Sequence, residues 1–179
     1  GIAFVSTGTF TSTSASLTSF ATIGFAVENF DISGMAFISA STIEFQQINS
    51  GTIDIGGADG SGILGISNTE FALMSYSNLR FGRSTLNDAG TLVGTVVVNR
   101  NTELFDSDFS FVEINATSLT VNNNLGADLA LFINADEINF GSVPVYADYI
   151  RIATYSLSTV QIGGTGTGSE RVLSTTALS

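Results

Sequence analysis

The chain contains no cysteine, histidine, lysine or tryptophan, and its only proline is Pro144. Without cysteine there are no disulfides and no thiolate metal sites, so the redox compartment leaves no mark on the sequence. The only cationic side chains are Arg80, Arg83, Arg100, Arg151 and Arg171, set against 16 carboxylates for a formal charge of −11. A surface this acidic excludes nucleic acid as a partner, because phosphate neutralisation needs a basic face. It also disfavours anionic membranes. No apolar run approaches the ~20 residues of a membrane-spanning helix, so no membrane insertion is expected. No signal peptide precedes Gly1; an exported protein would have lost it or carry it outside this segment. Charged residues make up 12% of the chain, about half the usual ~25%.

What takes the place of charge is Ser, Thr, Asn and Gly, a composition of strands and turns. The clearest rhythm runs from Ile114 to Ile162. Apolar residues fall at i, i+5 and i+7 in Ile114/Leu119/Val121 and, nineteen residues later, in Ile133/Ile138/Phe140, each set with an alanine at i+2 (Ala116, Ala135). The spacing returns at Val145/Ile150/Ile152 and Tyr155/Val160/Ile162. A helix would show i, i+3, i+4 and i+7, and a lone strand would alternate without a break. Short alternating pieces joined by corners at a fixed count describe the rung of a β-solenoid. Ile114, Leu119, Ile133, Ile138, Ile150, Ile152, Val160 and Ile162 are therefore expected to point inward and stack on like residues one rung away.

From Phe20 to Ile55 the beat is five residues: Phe20, Phe25, Phe30, Met35, Ala40, Phe45, Ser50, Ile55, with Ile38, Ile43, Ile48 and Ile53 running two residues ahead. Over these residues the rhythm resembles pentapeptide-repeat proteins. It breaks at Gly56-Gly57-Ala58-Asp59-Gly60-Ser61-Gly62, a stretch whose freedom at positive φ marks a turn. Neither a phosphate loop nor a calcium repeat fits that stretch. The first needs a following helix with lysine, and the second needs Gly and Asp recurring regularly beyond Asp54 and Asp59. Rungs of about 19–22 residues result, and the fold class is all-β, a parallel β-solenoid. The alternative is an antiparallel β-sandwich or jelly roll, which short strands at this spacing also suit.

The stretch Ile66-Ser67-Asn68-Thr69-Glu70-Phe71-Ala72-Leu73 leads into Asn78-Leu79-Arg80-Phe81-Gly82-Arg83, then Ala89-Gly90 and Thr95-Val96-Val97-Val98. This order resembles a recurring unit of large filamentous-haemagglutinin-like bacterial adhesins. The Ile/Asn-or-Ser/Ala pieces beginning at Ile38, Ile114 and Ile133 are similar to the same family's rungs. The resemblance covers roughly residues 33–164. It implies a right-handed parallel β-helix in an exported or surface-associated protein with a structural or adhesive role. Uneven rung lengths and abundant phenylalanine depart from the family pattern.

Candidate chemistry is sparse. Glu103, Asp106 and Asp108, followed by Glu113, form the densest acidic cluster, but no basic residue adjoins them to drive two carboxyl pKa values apart. They read as a solvated strand face or a cation-bound turn. Thr7-Gly8-Thr9-Phe10-Thr11-Ser12-Thr13 hints at an ice-ordering Thr ladder, yet does not recur in register. Asn122-Asn123-Asn124 reads as a corner where stacked asparagines form ladders. Asn115-Ala116-Thr117 matches a glycosylation sequon inside a strand pattern and is set aside. Pro144 belongs at a corner or strand start, where its missing N–H matters least. No catalytic, cofactor-binding or metal-ligating residue is assigned, and no enzyme activity is expected.

A match at 107 residues aligns Ile38-x-Ala40-x-x-Ile43 with Val145-x-Ala147-x-x-Ile150 and Thr52–Gly57 with Thr159–Gly164. The same alignment carries Ser174–Ser179 onto Ser67–Ala72, so the unit would next call for the apolar pair Leu79 and Phe81, which Ile2 and Phe4 supply. The expectation is one solenoid segment over residues 1–179, complete or cut from a longer repeat protein, with uncapped ends stacking on another copy or on the continuing parent chain. Its function would be a structural or adhesive element of an extracellular or cell-surface filament, with surface glycans as further partners. The alternative is a polysaccharide- or ice-binding solenoid module.

Overall fold

The structure is a computed structural model that describes residues 1–34, 37–82, 93–100, 111–141, 143–154, 159–162 and 170–173. In chain order these hold β1 (Ile2–Val5), β2 (Thr9–Thr11), β3 (Ser16–Val27), β4 (Asn29–Asp31), β5 (Phe37–Gln47), β6 (Thr52–Ile55) and β7 (Ile63–Ile66). A single helical turn, α1 (Asn68–Phe71), precedes β8 (Met74–Phe81) and β9 (Val93–Val98). Then come β10 (Phe111–Val121), β11 (Leu125–Gly126), β12 (Ala130–Asn139), β13 (Val145–Tyr146), β14 (Tyr149–Ala153), β15 (Thr159–Ile162) and β16 (Glu170–Leu173).

Ten strands form one sheet in the order β1-β3-β5-β8-β10-β9-β6-β7, with β12 and β14 continuing from β10. The sheet curls into a half-barrel, and β10 shows how. Its first half, Phe111–Ile114, pairs with β8, while Ala116–Val121 pairs with β9. One strand thus serves two faces, bending at Asn115. The antiparallel sandwich is not supported, because every pairing between strands is parallel and the isolated antiparallel bridge is Gly60↔Ile63. Hairpins with tight two- to five-residue turns would have been needed for the sandwich. Parallel register instead sets similar residues directly above one another at a fixed offset.

Two columns follow from that register. One runs Ile2, Ile23, Ile43, Leu79, Val112, Leu131, Ile150, and the other, two residues on, runs Phe4, Phe25, Phe45, Phe81, Ile114, Ile133, Ile152. Ile2 and Phe4 lie in the columns of Leu79 and Phe81, and Ile150 lies in that of Ile43. The interior members from Ile23 to Leu131 and from Phe25 to Ile133 are fully buried. The phenyl rings of Phe4, Phe25, Phe45 and Phe81 stack with centroids 5.4, 5.7 and 5.8 Å apart. On the second face Ile53, Val96, Leu119 and Ile138 form a third column.

Several expectations need correction. The successive offsets along the first column are 21, 20, 36, 33, 19 and 19 residues, so two steps exceed a 19–22-residue rung. Between β5 and β8 the extra length holds β6, a glycine-rich loop, β7 and α1. The five-residue beat does not mark corners, because β5 runs unbroken through Ala40 and Phe45. Phe20 is wholly exposed and Ser50 sits in a turn at positive φ, whereas Phe25, Phe30, Phe45 and Ile55 are core. Met35 lies outside the described residues. Ile138 and Ile152 pack on the core as expected, though only partly buried, whereas Ile150 is 39% exposed. The Val145/Ile150/Ile152 spacing is not a third copy of Ile133/Ile138/Phe140; Val145 stacks on Leu125 and Ile150 on Leu131. Val160 and Ile162 belong to β15, which pairs with β16 in a separate sheet. Their side chains, Tyr155 and Ser174–Ser179 lie outside the described part. Pro144 opens β13, its carbonyl accepting from the Leu125 amide at 3.0 Å.

Candidate functional site

The acidic cluster Glu103, Asp106 and Asp108 lies outside the described residues. Glu113 does not, and it has a basic partner that the sequence order conceals. Register puts Glu44, Arg80 and Glu113 side by side on β5, β8 and β10. Arg80 Nη1 meets Glu44 Oε1 at 2.8 Å and its Nε meets Glu113 Oε2 at 2.9 Å. The guanidinium also lies 5.7 Å from the Phe111 ring centroid. Glu44 is fully buried, so its charge depends on this partner for compensation. One cation between two carboxylates, each engaged by a separate nitrogen, is a cross-strand clamp.

The glycine-rich loop is also stapled from within. Asp59 accepts from the Gly65 amide at 2.9 Å through Oδ1 and from the Phe30 amide at 3.1 Å through Oδ2. Burial pushes its pKa up, the two amide donors oppose that, and the charges of Glu70 and Asp31 add to it. A side chain at Gly65 would run into the Ala58 backbone, which is why the loop can lie against β7. Glu70 closes a capping box with Ser67 and also accepts from the Ile32 amide at 3.3 Å. Among the described residues no group of three or more metal-ligating side chains is found.

The Thr-x-Thr stretch does not extend to the next level. Thr9 and Thr11 are exposed, but they stack on Asn29 and Asp31. The asparagine corner does form a ladder. Asn122 Nδ2 donates to Asn99 Oδ1 at 2.8 Å, and Asn99 Nδ2 donates to Asp54 Oδ1 at 2.7 Å. A second rung-to-rung bond links Asn134 Nδ2 to Asn115 Oδ1 at 2.8 Å. Asn115 is buried at the bend of β10, which removes the sequon from solvent.

Among the described residues a groove of about 530 Å³ lies across β3, β5 and β8. A β-bulge adjoins it. Ser19 pairs with Ala40 and Thr22 with Thr42, so Phe20 and Ala21 together oppose Ser41. The Ala21 amide donates to Ser19 Oγ at 3.2 Å and fixes the kink. Phe20 continues the outward row of Ser16 and Thr18, opposite Leu17 and Ser19, and is wholly exposed, 102%. Beside it Thr18, Ser39 and Ser75 stand in register, with Ser41 and Ser77 further along the same strands. Tyr76, 8% exposed, closes the floor, and burial raises its hydroxyl pKa against the pull of Arg100. The five-residue beat hid this site by counting Phe20 with the core. The signal that points to it is the recurrence of hydroxyls at 18–19, 39–41 and 75–77.

Comparison with protein-family models, curated proteins and solved structures found no match to the chain.

Proposed function

We propose that the chain is a non-catalytic β-solenoid segment that serves a structural or adhesive role in an extracellular or cell-surface filament, its levels continuing end to end. The observation that carries this reading is the pair of columns from Ile2 to Ile150 and from Phe4 to Ile152, which pass through seven levels without a change of register. The two small parallel sheets, β2 with β4 and β11 with β13, stack at offsets of 20 residues, in step with the neighbouring levels. They supply the side by which the half-barrel would close into a coil. Stability in such a stack is a sum of nearest-neighbour terms, so nothing in the pattern limits the number of levels.

The edges favour continuation. β1 pairs with β3 on one side, and among the described strands none covers its other side. Ile2 and Phe4 sit there only partly buried, with columns ready to extend. An unpaired parallel edge with an apolar column beneath it is a template for another strand. A heterologous contact of this kind gives open filaments rather than closed rings when successive copies stay nearly coaxial. The −11 charge opposes side-by-side clumping and leaves the edge free to pair. Negative-stain microscopy of concentrated protein tests the reading. Filaments should form, and deletion of residues 1–5 should shorten them while the middle of the chain stays folded. A chain that remains monodisperse at high concentration and moderate salt would sink the assembly.

A further inference from the structure

We propose that the groove beside Phe20 binds a neutral saccharide chain, with the Phe20 ring as a stacking platform and the serine and threonine hydroxyls of β3, β5 and β8 as its polar contacts. The inference stands apart from the filament reading, since it concerns the side of the stack and not its ends.

The argument begins with Phe20 itself. Phe25 and Phe30, the next two phenylalanines in the chain, are buried, while Phe20, on the outward row of β3 beside the bulge, stands fully in water. Leaving a phenyl group there forgoes about 1.5–3 kcal/mol of burial. Ser16 and Thr18, the preceding outward positions, show what a merely solvent-facing position takes on this strand. A wholly exposed aromatic at the rim of a polar groove is suited to a ligand with both an apolar face and many hydroxyls. A pyranose has both, its C–H face for the ring and its hydroxyls for Ser and Thr, each of which donates one proton and accepts at two lone pairs.

Charge narrows the class. The groove is lined by Ser, Thr, Ala, Phe and Tyr alone, with no cation or carboxylate. An anionic sugar would meet no positive partner there and would be repelled by a chain of net charge −11. Geometry sets the length. Three strands span roughly 10 Å at their usual spacing, the reach of about two pyranose rings. The hydroxyl row Thr18, Ser39, Ser75 runs along that direction.

The test is an NMR titration of the ¹⁵N-labelled full chain with cellohexaose, mannohexaose and maltohexaose, with oligogalacturonate as the acidic comparison. At least one neutral hexaose should shift amides of residues 18–20, 39–41 and 75–77 with a Kd in the millimolar range or tighter, about −4 kcal/mol. Phe20→Ala should weaken it at least tenfold while leaving the unfolding midpoint unchanged, and Phe20→Tyr should retain it. Ser39→Val, which removes the central hydroxyl, should also weaken it. The proposal is overturned by absence of shifts with all three neutral hexaoses at about ten times that Kd. Equal binding of oligogalacturonate overturns it, as does wild-type affinity in Phe20→Ala. So does a Phe20→Ala chain that loses self-association in sedimentation without any saccharide effect, which would make Phe20 a contact between copies. Filament formation is read separately by microscopy, so either idea fails without the other.

Discussion

The levels from β1 to β8 and those from β10 to β14 occupy the same two columns with different chemistry. In the first set the second column is Phe4, Phe25, Phe45, Phe81, and in the other it is Ile114, Ile133, Ile152. Phenylalanine draws its surroundings in sideways. Phe30 meets Phe25 at 4.8 Å and Phe45 at 5.2 Å, both edge-on, and Phe71 of α1 reaches Phe45 at 6.4 Å. The isoleucine levels keep a constant offset of 19 residues and tie their bend with the Asn115–Asn134 bond, and their rings Phe111, Phe132 and Tyr149 meet edge-on at 4.8 and 5.8 Å. A column therefore asks for a match with the level above and below, and not for a residue type. The aromatic levels hold one long step, 36 residues from Phe45 to Phe81, beside steps of 21 and 20, whereas the aliphatic levels step by 19 from Ile114 to Ile152.

Truncation at equivalent depths sharpens that contrast. Phe45→Ala should lower stability by about 3–5 kcal/mol, and Ile133→Ala by about 2–3 kcal/mol, as read from urea unfolding. Phe45 also supports rings on β3, β4, β8 and α1, so its loss should spread further in hydrogen exchange. Equal losses with equally local effects would mean that the aromatic cluster adds nothing beyond its area. The junction between the two regions comes next. Arg80→Ala would leave Glu44 buried without its guanidinium and should lose about 3 kcal/mol. Replacing all three charged groups with apolar ones of similar size should recover most of it. If Arg80→Ala unfolds like the wild type, the clamp is incidental.

The smallest effect separates two carboxylates in the aromatic region. Asp31 is held below the usual aspartate value by hydrogen bonds from the Ser33 hydroxyl and amide. Its contribution is present above about pH 4 and is lost as pH falls through its lowered folded value. Asp59 is raised, chiefly by burial. Its contribution is complete below about pH 4 and is lost as pH rises through its raised folded value. Carboxyl ¹³C titration should place the two midpoints on opposite sides of the usual value. Coincident midpoints would remove Asp59 as a buried staple.

How much of this was legible follows the same division. The 19-residue register of Ile114/Ile133 and Leu119/Ile138 is plain in the chain because nothing interrupts those rungs. So is the turn at residues 56–62, since Gly56 and Gly62 adopt positive φ. The steps from Ile43 to Leu79 and from Leu79 to Val112 were not legible. Their excess length hides which residues face each other, and with it the partnership of Arg80 with Glu44 and Glu113. The groove was missed for a different reason. The five-residue beat carries Phe20 inward with Phe25 and Phe30, whereas the two-residue alternation of β3 sets it outward with Ser16 and Thr18.

The constant offset in β10, β12 and β14 sets the unit in which this part of the protein can change length. Duplicating or losing one 19-residue segment there adds or removes one residue from each of the first two columns and leaves the other levels in register. An insertion of one residue inside a strand would instead turn every following core side chain toward water. A change of length by whole segments thus keeps the register of the remaining strands and alters stability by the contacts of the level gained or lost.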